Sequence, residues 1–176
     1  MTTQLFELML RAYAHHRIAS AFRYVYEFDE WVEFMSNDRI IKIVATVDGR
    51  LAGLITGTDD LEAIPWISPQ YYETRHPGRR VFHQQDTFVD PEIRNPRVLR
   101  ALFEEGIRFS VERDAVVSFS VSHELVERRY VELISRVIKS RLGTPVVETD
   151  AHHYFEFDTR TEAVSTTPSR TIAEAS

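Results

Sequence analysis

Polar side chains crowd the strand-like segment 80–89, RVFHQQDTFV. His83 can accept a proton near neutral pH, because the unperturbed pKa of imidazole is about 6.5, and Asp86 is the alternative proton acceptor. A polar cleft wall would explain this composition, and hydrogen-bonded polar residues beside a solvated strand would explain it equally well. Strict strand alternation predicts one face with His83, Gln85 and Thr87 and the other with Phe82, Gln84, Asp86 and Phe88.

The junction after this strand can hold an anion. The chain passes through Asp90-Pro91 and opens a helix at Asn95-Pro96, where proline suits the first helical position. Unpaired N–H groups and the positive end of the helix dipole face outward from a helix start, which favours phosphate. Arg94 and Arg97 add positive charge there. The alternative is a solvated helix face on which arginines pair with Glu92 and Glu104.

The composition excludes several classes of protein. At 176 residues and 43% hydrophobic content, one domain is expected, over 1–158, with helices in 1–38 and an unstructured polar tail over 159–176. The net charge of −6 argues against a general nucleic-acid or anionic-membrane binder. Without cysteine there is no disulfide and no thiolate nucleophile, which fits the cytoplasm. The apolar start is too short for a signal peptide or membrane span.

The seven histidines do not predict a metal site. The pairs His15-His16 and His152-His153 are adjacent, so on a strand their side chains point to opposite faces. On a helix neither pair has the i, i+4 spacing of zinc-binding histidines. We expect no structural metal.

Hydrophobic periodicity and turn residues predict an alternation of helices and strands. The clearest element is a hairpin of strands Ile40–Val47 and Leu51–Thr58 around the turn dipeptide Asp48-Gly49. In the first half of the chain, the other predicted elements are an amphipathic helix over 3–16, an ambiguous segment over 18–28, a helix capped by Asp29 and ending near Asn37, and a long loop over 59–79. This loop suits a lid or, equally well, a packed crossover with Trp66, Tyr71 and Tyr72 in the core. In the second half, they are a strand over 80–89, a helix from Pro96 to Asp114 with a buried stripe that includes Val111, a buried strand from Ala115 to Val121, a helix from His123 to Arg141 ended by Gly143, and strands over 144–149 and 152–158.

This order of elements resembles the GNAT superfamily of N-acyltransferases from about Asp29 to Asp158. The helix, hairpin and Gly53 match the start of that family's pattern, and Val89-Asp90-Pro91 with Arg94 matches its strand end and pyrophosphate loop. The resemblance implies an α+β fold: a mixed, mostly antiparallel sheet with a splayed strand pair and helices on both faces. Arg97 and Leu99 stand where the family has glycines that admit the coenzyme A pyrophosphate.

The resemblance also implies roles for residues and ligands. Tyr130, in HELVERRY, falls where a family tyrosine protonates the departing thiolate, and backbone N–H groups near Phe88 and Val89 could polarise the thioester carbonyl. The expected catalytic residues are therefore Tyr130, His83 and Asp86. The expected donor-binding residues are Phe88, Val89, Arg94, Asn95, Arg97, Val98 and Leu99.

Two functions follow from the resemblance. The first is transfer of an acyl group from coenzyme A, or another phosphopantetheine thioester such as acyl carrier protein, to the amine of a small molecule or peptide. The second is a non-catalytic GNAT-like binding or sensing domain that has lost coenzyme A binding. Exposed aromatic residues in the long loop make a homodimer conceivable. The acceptor, the acyl length and the oligomeric state do not follow from the sequence.

Overall fold

The computed structural model describes residues 1–14, 25–93, 95–127 and 129–150. The helices are α1 (Thr2–Ala12), α2 (Phe28–Ser36), α3 (Pro69–Arg75), α4 (Pro96–Val111), α5 (His123–Glu127) and α6 (Tyr130–Leu142). The strands are β1 (Ile41–Val47), β2 (Arg50–Thr58), β3 (Val81–Val89) and β4 (Val116–Phe119), and a 3-10 turn covers Leu61–Ala63. Within these residues no helix is long and apolar enough to cross a membrane.

The predicted hairpin is confirmed. β1 and β2 pair in antiparallel fashion around Asp48 and Gly49, whose φ angles are 49° and 75°. Positive φ at both central residues is the geometry of a type I′ turn, which asparagine, aspartate and glycine tolerate best. The turn dipeptide therefore sets where the hairpin folds back.

The four strands form one mixed sheet in the order β1-β2-β3-β4. β3 is antiparallel to β2 over the whole range from His83 to Val89. It pairs with β4 in parallel only from Val81 to Gln84. β3 thus continues for five residues beyond its pairing with β4, and this is the splayed strand pair that the sequence predicts.

Helices cover both faces of the sheet, as predicted. α1 and α2 bury Leu8, Met9 and Trp31 against Leu54 and Phe88 on one face. On the other face α4 and α6 form a second core whose buried members are Ala52, Ile55, Val98, Leu102, Phe103 and Ile134. The absence of a side chain at Gly53 lets α4 approach closely, since a Cβ there would lie 2.8 Å from Leu102 Cδ1. The sheet is consequently held between two apolar layers.

Several predicted boundaries are wrong, each for a local reason. Glu27, and not Asp29, caps α2, through a reciprocal capping box with Glu30. The helix expected from His123 to Arg141 is two helices, because Arg129 adopts a left-handed conformation with a φ of 59°. Gly143 ends α6 with a φ of 68°, as predicted.

The sheet edge also differs from the prediction. The strand expected to be buried, β4, is the last strand of the described sheet, and Val117 on it is 40% exposed. Residues 144–150 form no strand, and the predicted strand over 152–158 lies outside the described residues, as does the predicted tail. Val111 belongs to the exposed side of α4, with 56% of its surface accessible.

Candidate functional site

A β-bulge in β3 decides which polar side chains face one another. Asp86 lies opposite Thr56 and Gln84 lies opposite Gly57, so Gln85 is an extra residue without its own partner on β2. Residues that lie opposite one another in an antiparallel pair share a face of the sheet. Asp86 and His83 therefore lie on the same face, with Thr56 and Thr58. The strict alternation expected from the sequence is wrong, since it placed these two residues on opposite faces.

The carboxylate of Asp86 is buried and accepts hydrogen bonds from two hydroxyl groups of the described residues. Only 8% of the residue is exposed. The Thr56 hydroxyl donates to Asp86 Oδ2 at 3.0 Å, and the Tyr13 hydroxyl donates to Asp86 Oδ1 at 3.4 Å. Burial raises the pKa of Asp86 to about 6, although both hydrogen bonds act to lower it. At neutral pH the group is therefore ionised and basic enough to take a proton.

His83 is close to Asp86 along the strand but has a different environment. Its Nδ1 lies 2.9 Å from the Ser118 hydroxyl on β4, and among the described residues its buried Nε2 has no hydrogen-bond partner. Burial lowers the pKa of His83 to about 4, so the ring is neutral at physiological pH. Such a ring is a weaker base than the carboxylate of Asp86.

Residues 85–89 of β3 have no pairing partner on the β4 side, and we call this side of the strand the open edge. Asp90 N–H donates to the carbonyl of Ala52 on β2 at 2.8 Å. Successive N–H groups of a strand point to opposite edges, so Phe88 N–H also points to β2, while those of Thr87 and Val89 point to the side that β4 has left. Of the two residues expected to supply N–H groups, Val89 is therefore suitably oriented and Phe88 is not.

Tyr130 begins α6, immediately after the left-handed Arg129. Its ring packs near Phe103, with 6.3 Å between ring centroids. Burial raises the pKa of Tyr130 to about 12, so that the phenol keeps its proton at neutral pH. Electrostatic interaction with Tyr130 also raises the pKa of Tyr13, which indicates that the two phenols lie within range of one another. Tyr130 thus begins α6 within electrostatic range of Tyr13, whose hydroxyl contacts Asp86.

At the start of α4, the helix cap already uses part of the backbone N–H groups that a phosphate could bind. The side chain of Asn95 accepts from Arg97 N–H at 3.0 Å, and Pro96 has no N–H to offer. Val98 is buried, Leu99 is half-buried, and Arg94 lies outside the described residues. The side chain of Arg97 is exposed, whereas Arg100 pairs with Glu104 at 2.9 Å. The expected phosphate site therefore offers an arginine but few free backbone donors.

The long loop over 59–79 lies at the other end of β3. With the first residues of β3 it lines a groove of about 490 Å³ that includes Asp59, Tyr72, Arg80 and Val81. Val81 and Val89 are separated by about 26 Å along the strand, given a rise of about 3.3 Å per residue. The groove therefore lies at the opposite end of β3 from Val89. Within the described residues no group of three or more histidines or acidic residues could hold a metal ion.

Tyr13 is a site residue that the sequence pattern does not reveal. It lies at the end of α1, 73 residues from Asp86 in the chain, and only tertiary packing brings the two together. Burial and the charge of Asp86 raise the pKa of Tyr13 well above its usual value, while the backbone N–H of Thr87 acts in the opposite direction. Its hydroxyl therefore lies beside both Asp86 and the open edge.

Several solved structures that are similar to this one are acetyltransferases. An aminoglycoside acetyltransferase from an uncultured soil metagenomic sample, in complex with sisomicin, has a TM-score of 0.58 and 13% identity, over 89% of this chain and 90% of that chain. Ribosomal-protein-alanine N-acetyltransferase from Brucella melitensis biovar Abortus 2308 has a TM-score of 0.54 and 14% identity, over 89% and 92%. An aminoglycoside N-acetyltransferase in complex with CoA has a TM-score of 0.55 and 13% identity, over 89% and 88%.

No family model and no curated protein matches the chain. At these identities the structural likeness establishes the fold, which is the α+β GNAT fold that the order of elements predicts.

Proposed function

We propose that this protein is an N-acyltransferase that moves an acyl group from a coenzyme A thioester to the amine of a small molecule. The observation that carries the proposal is the open edge of β3, where pairing with β4 stops at Gln84 and the strand continues to Val89. An extended thioester arm can lie along such an edge and use its unpaired backbone groups. The fold shared with acetyltransferases, one of them solved with CoA, supports the same conclusion.

The thioester carbonyl is polarised by backbone. Val89 N–H points to the open edge and can donate to the oxygen on which negative charge develops when the amine attacks. One such donor contributes about 3 to 4 kcal/mol to the stability of a tetrahedral intermediate. The role needs no particular side chain, so it is compatible with any residue at position 89 other than proline, which lacks the N–H.

Asp86 accepts the proton that the attacking amine loses. Its pKa of about 6 lies below neutral pH, so the carboxylate is ionised, yet it is much more basic than an exposed aspartate. His83 lies on the same face and is the second candidate, but its pKa of about 4 makes it the poorer base. We therefore assign proton acceptance to Asp86 in preference to His83.

Tyr130 returns a proton to the sulfur. When the tetrahedral intermediate collapses, the C–S bond breaks and the electron pair leaves on the thiolate, which needs a proton to become the free thiol. Tyr130 is protonated at neutral pH, since its pKa of about 12 lies far above 7, and it therefore has a proton to donate. Its place at the start of α6, within electrostatic range of Tyr13, supports this role.

The start of α4 holds the phosphates of the donor. Arg97, and Arg94 from outside the described residues, supply positive charge in place of close backbone approach, and the phosphates lie beside Asn95, Val98 and Leu99. Because Asn95 already accepts from Arg97 N–H, donor binding must compete with this capping contact. We expect the affinity for coenzyme A to depend more on arginine charge than on backbone donors.

The acceptor is proposed to be a small-molecule amine, since the structural neighbours include an enzyme solved with sisomicin. The cysteine-free sequence fits a cytoplasmic location. A homodimer is an open proposal that size-exclusion chromatography with light scattering can decide.

Val89→Pro tests the observation that carries the proposal. Proline removes the N–H of residue 89, and a proline is tolerated where that N–H is not paired within the sheet. We expect amine-dependent release of free thiol from acetyl-coenzyme A to fall by about 100-fold or more. Val89→Ala is the matched control, because it also loses the valine side chain but retains the N–H. Equal turnover in the two variants, with both folded, would show that the open edge has no catalytic part.

A further inference from the structure

We propose that Tyr13 is a positioning residue for the acyl transfer, whose hydroxyl holds the Asp86 carboxylate at the bulge in the orientation and ionisation that accept the amine proton. The inference rests on the proposed function and extends it to α1, which lies far from β3 in sequence. Among the residues that the structure describes, Asp86 has two side-chain donors: Thr56 from the neighbouring strand and Tyr13 from the helix layer.

The phenol of Tyr13 is fixed by several independent contacts. Only 9% of the residue is exposed, and its ring meets Phe88 edge to face with 5.5 Å between centroids. Its own N–H donates to the Met9 carbonyl at 2.9 Å, which ends α1 at this point. Two residues earlier, Arg11 binds Asp90 at 2.9 Å and joins the end of α1 to the end of β3. The hydroxyl of Tyr13 is thus held in place from both the helix and the strand.

The fold of β3 explains this contact. Asp86 shares with Phe88 the face that α1 covers, because the two residues alternate along the strand, and the hydroxyls of Thr56 and Tyr13 both reach the carboxylate there. The extra residue Gln85 places His83 on this face as well, so the bulge brings the two candidate proton acceptors together. Strand alternation therefore orients the carboxylate, and Tyr13 contacts it from the helix layer.

Within the described part of the chain, few other titratable groups can influence Asp86. From β3 itself, His83 faces the same side and is neutral above about pH 4, and from β2 the neighbour is the neutral Thr56. From α6, Tyr130 interacts with Tyr13. From α1, Arg11 is engaged with Asp90, and the acidic residues of α2 are exposed. Among the described residues, the group that both contacts Asp86 and titrates is Tyr13, far above neutral pH.

The effect of Tyr13 on Asp86 has a definite sign. A hydroxyl that donates to a carboxylate favours its ionised form, so this contact lowers the pKa of Asp86 against the effect of burial. Activity that needs ionised Asp86 is present above this pKa and is lost as the pH falls through it. Removing the hydroxyl should therefore move the acidic limb of the pH profile to higher pH.

The test is Tyr13→Phe in the full chain, which keeps the ring against Phe88 and removes only the hydroxyl. Carbon-detected NMR titration of the Asp86 carboxyl should give a pKa higher than that of wild type by about half a unit. This pKa difference is at the low end of the effect expected from one hydrogen bond, because the distance of 3.4 Å between the Tyr13 and Asp86 oxygens is long. The acidic limb of kcat/KM should move upward by the same amount, with KM for acetyl-coenzyme A unchanged.

The outcomes separate this inference from the proposed function. Tyr71→Phe, an exposed hydroxyl on α3, is the matched control and should leave the Asp86 titration unchanged. An unshifted Asp86 in Tyr13→Phe would overturn the inference, and so would a shifted Asp86 with an unmoved acidic limb. A wild-type protein without turnover, but with the predicted shift in the titration, would overturn the proposed function while leaving the Tyr13–Asp86 contact established.

Discussion

The end of β3 and the start of α4 are neighbours in the chain, yet they differ in how much they depend on side chains. At the end of β3, the open edge is made by backbone N–H groups whose direction follows from strand pairing. At the start of α4, close approach to a phosphate needs positions without side chains, and Arg97 and Leu99 stand there instead. The first region keeps its geometry under substitution, whereas the second does not.

This difference indicates which of the two regions tolerates substitution of its side chains. In the proposed reaction, polarisation of a thioester by β3 survives any substitution that keeps the strand and the N–H of residue 89. Donor affinity at α4 would instead depend on charge, because Asn95 already accepts one of the few N–H groups there as a helix cap. We therefore expect substitutions on β3 to change turnover, and substitutions at the start of α4 to change the affinity for the acyl donor.

Substitution of the buried carboxylate should have the largest effect. Asp86→Asn should lower kcat by about 10³-fold, the range of a lost general base, with little change in the affinity for acetyl-coenzyme A. Thiol release and calorimetry measure the two quantities. Wild-type turnover in this variant would remove Asp86 from the mechanism and move proton acceptance to His83.

The same variant should be more stable than wild type at high pH. The pKa of Asp86 rises from 3.8 to about 6 on folding, so this group favours the folded state below pH 3.8 and loses that contribution as pH rises through 6. A difference of about 2 units corresponds to about 3 kcal/mol. Thermal unfolding should show Asp86→Asn gaining stability at pH 8 and losing this advantage near pH 4. A loss of stability at pH 8 would indicate that Asp86 serves the fold.

Tyr130→Phe should have the next largest effect, with kcat lower by about 100-fold and donor affinity unchanged. The reason is that the thiolate then leaves without a proton. An acyl donor with a more acidic thiol needs that proton less, so it should restore turnover to Tyr130→Phe but not to Asp86→Asn. Equal sensitivity of both variants to the leaving group would argue against separate roles.

Charge at α4 should affect affinity and leave turnover at saturation unchanged. Arg97→Ala should weaken acetyl-coenzyme A binding by about five- to tenfold, as expected for one exposed charge-assisted contact. Arg100→Ala is the matched control on the same helix, because Arg100 already pairs with Glu104. Equal effects of the two substitutions on the dissociation constant would mean that neither arginine binds the donor specifically.

Asn95→Gly should have the smallest effect. Glycine at the cap position costs only a few tenths of a kcal/mol, and it frees Arg97 N–H for a phosphate. We expect acetyl-coenzyme A to bind about two- to threefold more tightly, as measured by calorimetry. Weaker binding in this variant would instead indicate that the Asn95 side chain itself contacts the donor.

Local patterns were sufficient to predict most of the fold. The turn at Asp48-Gly49, the proline at the start of α4 and the glycine after α6 each impose a conformation on their own segment. The splayed strand pair followed from the order of elements. Arg129 carries no such signal, because arginine is an ordinary helix former, and the break before Tyr130 was therefore missed.

The site was harder to predict, because its geometry depends on one inserted residue and one distant helix. The bulge at Gln85 brings His83 to the face of Asp86, and no glycine in β3 marks it in the sequence. The one available signal was the pair Gln84-Gln85, which interrupts the alternation of apolar and polar residues. Tyr13 reaches Asp86 only through tertiary packing, so it could not be assigned from local spacing.

Calorimetric titration of the full chain with acetyl-coenzyme A tests the central claim most directly. We expect saturable binding to one site per chain, weakened by salt and by Arg97→Ala, and a thermal stability that rises with ligand concentration. An absence of both heat and stabilisation with acetyl-coenzyme A, with a long-chain acyl-coenzyme A and with acyl carrier protein would contradict it. The chain would then be a GNAT-like domain whose open edge serves binding or sensing.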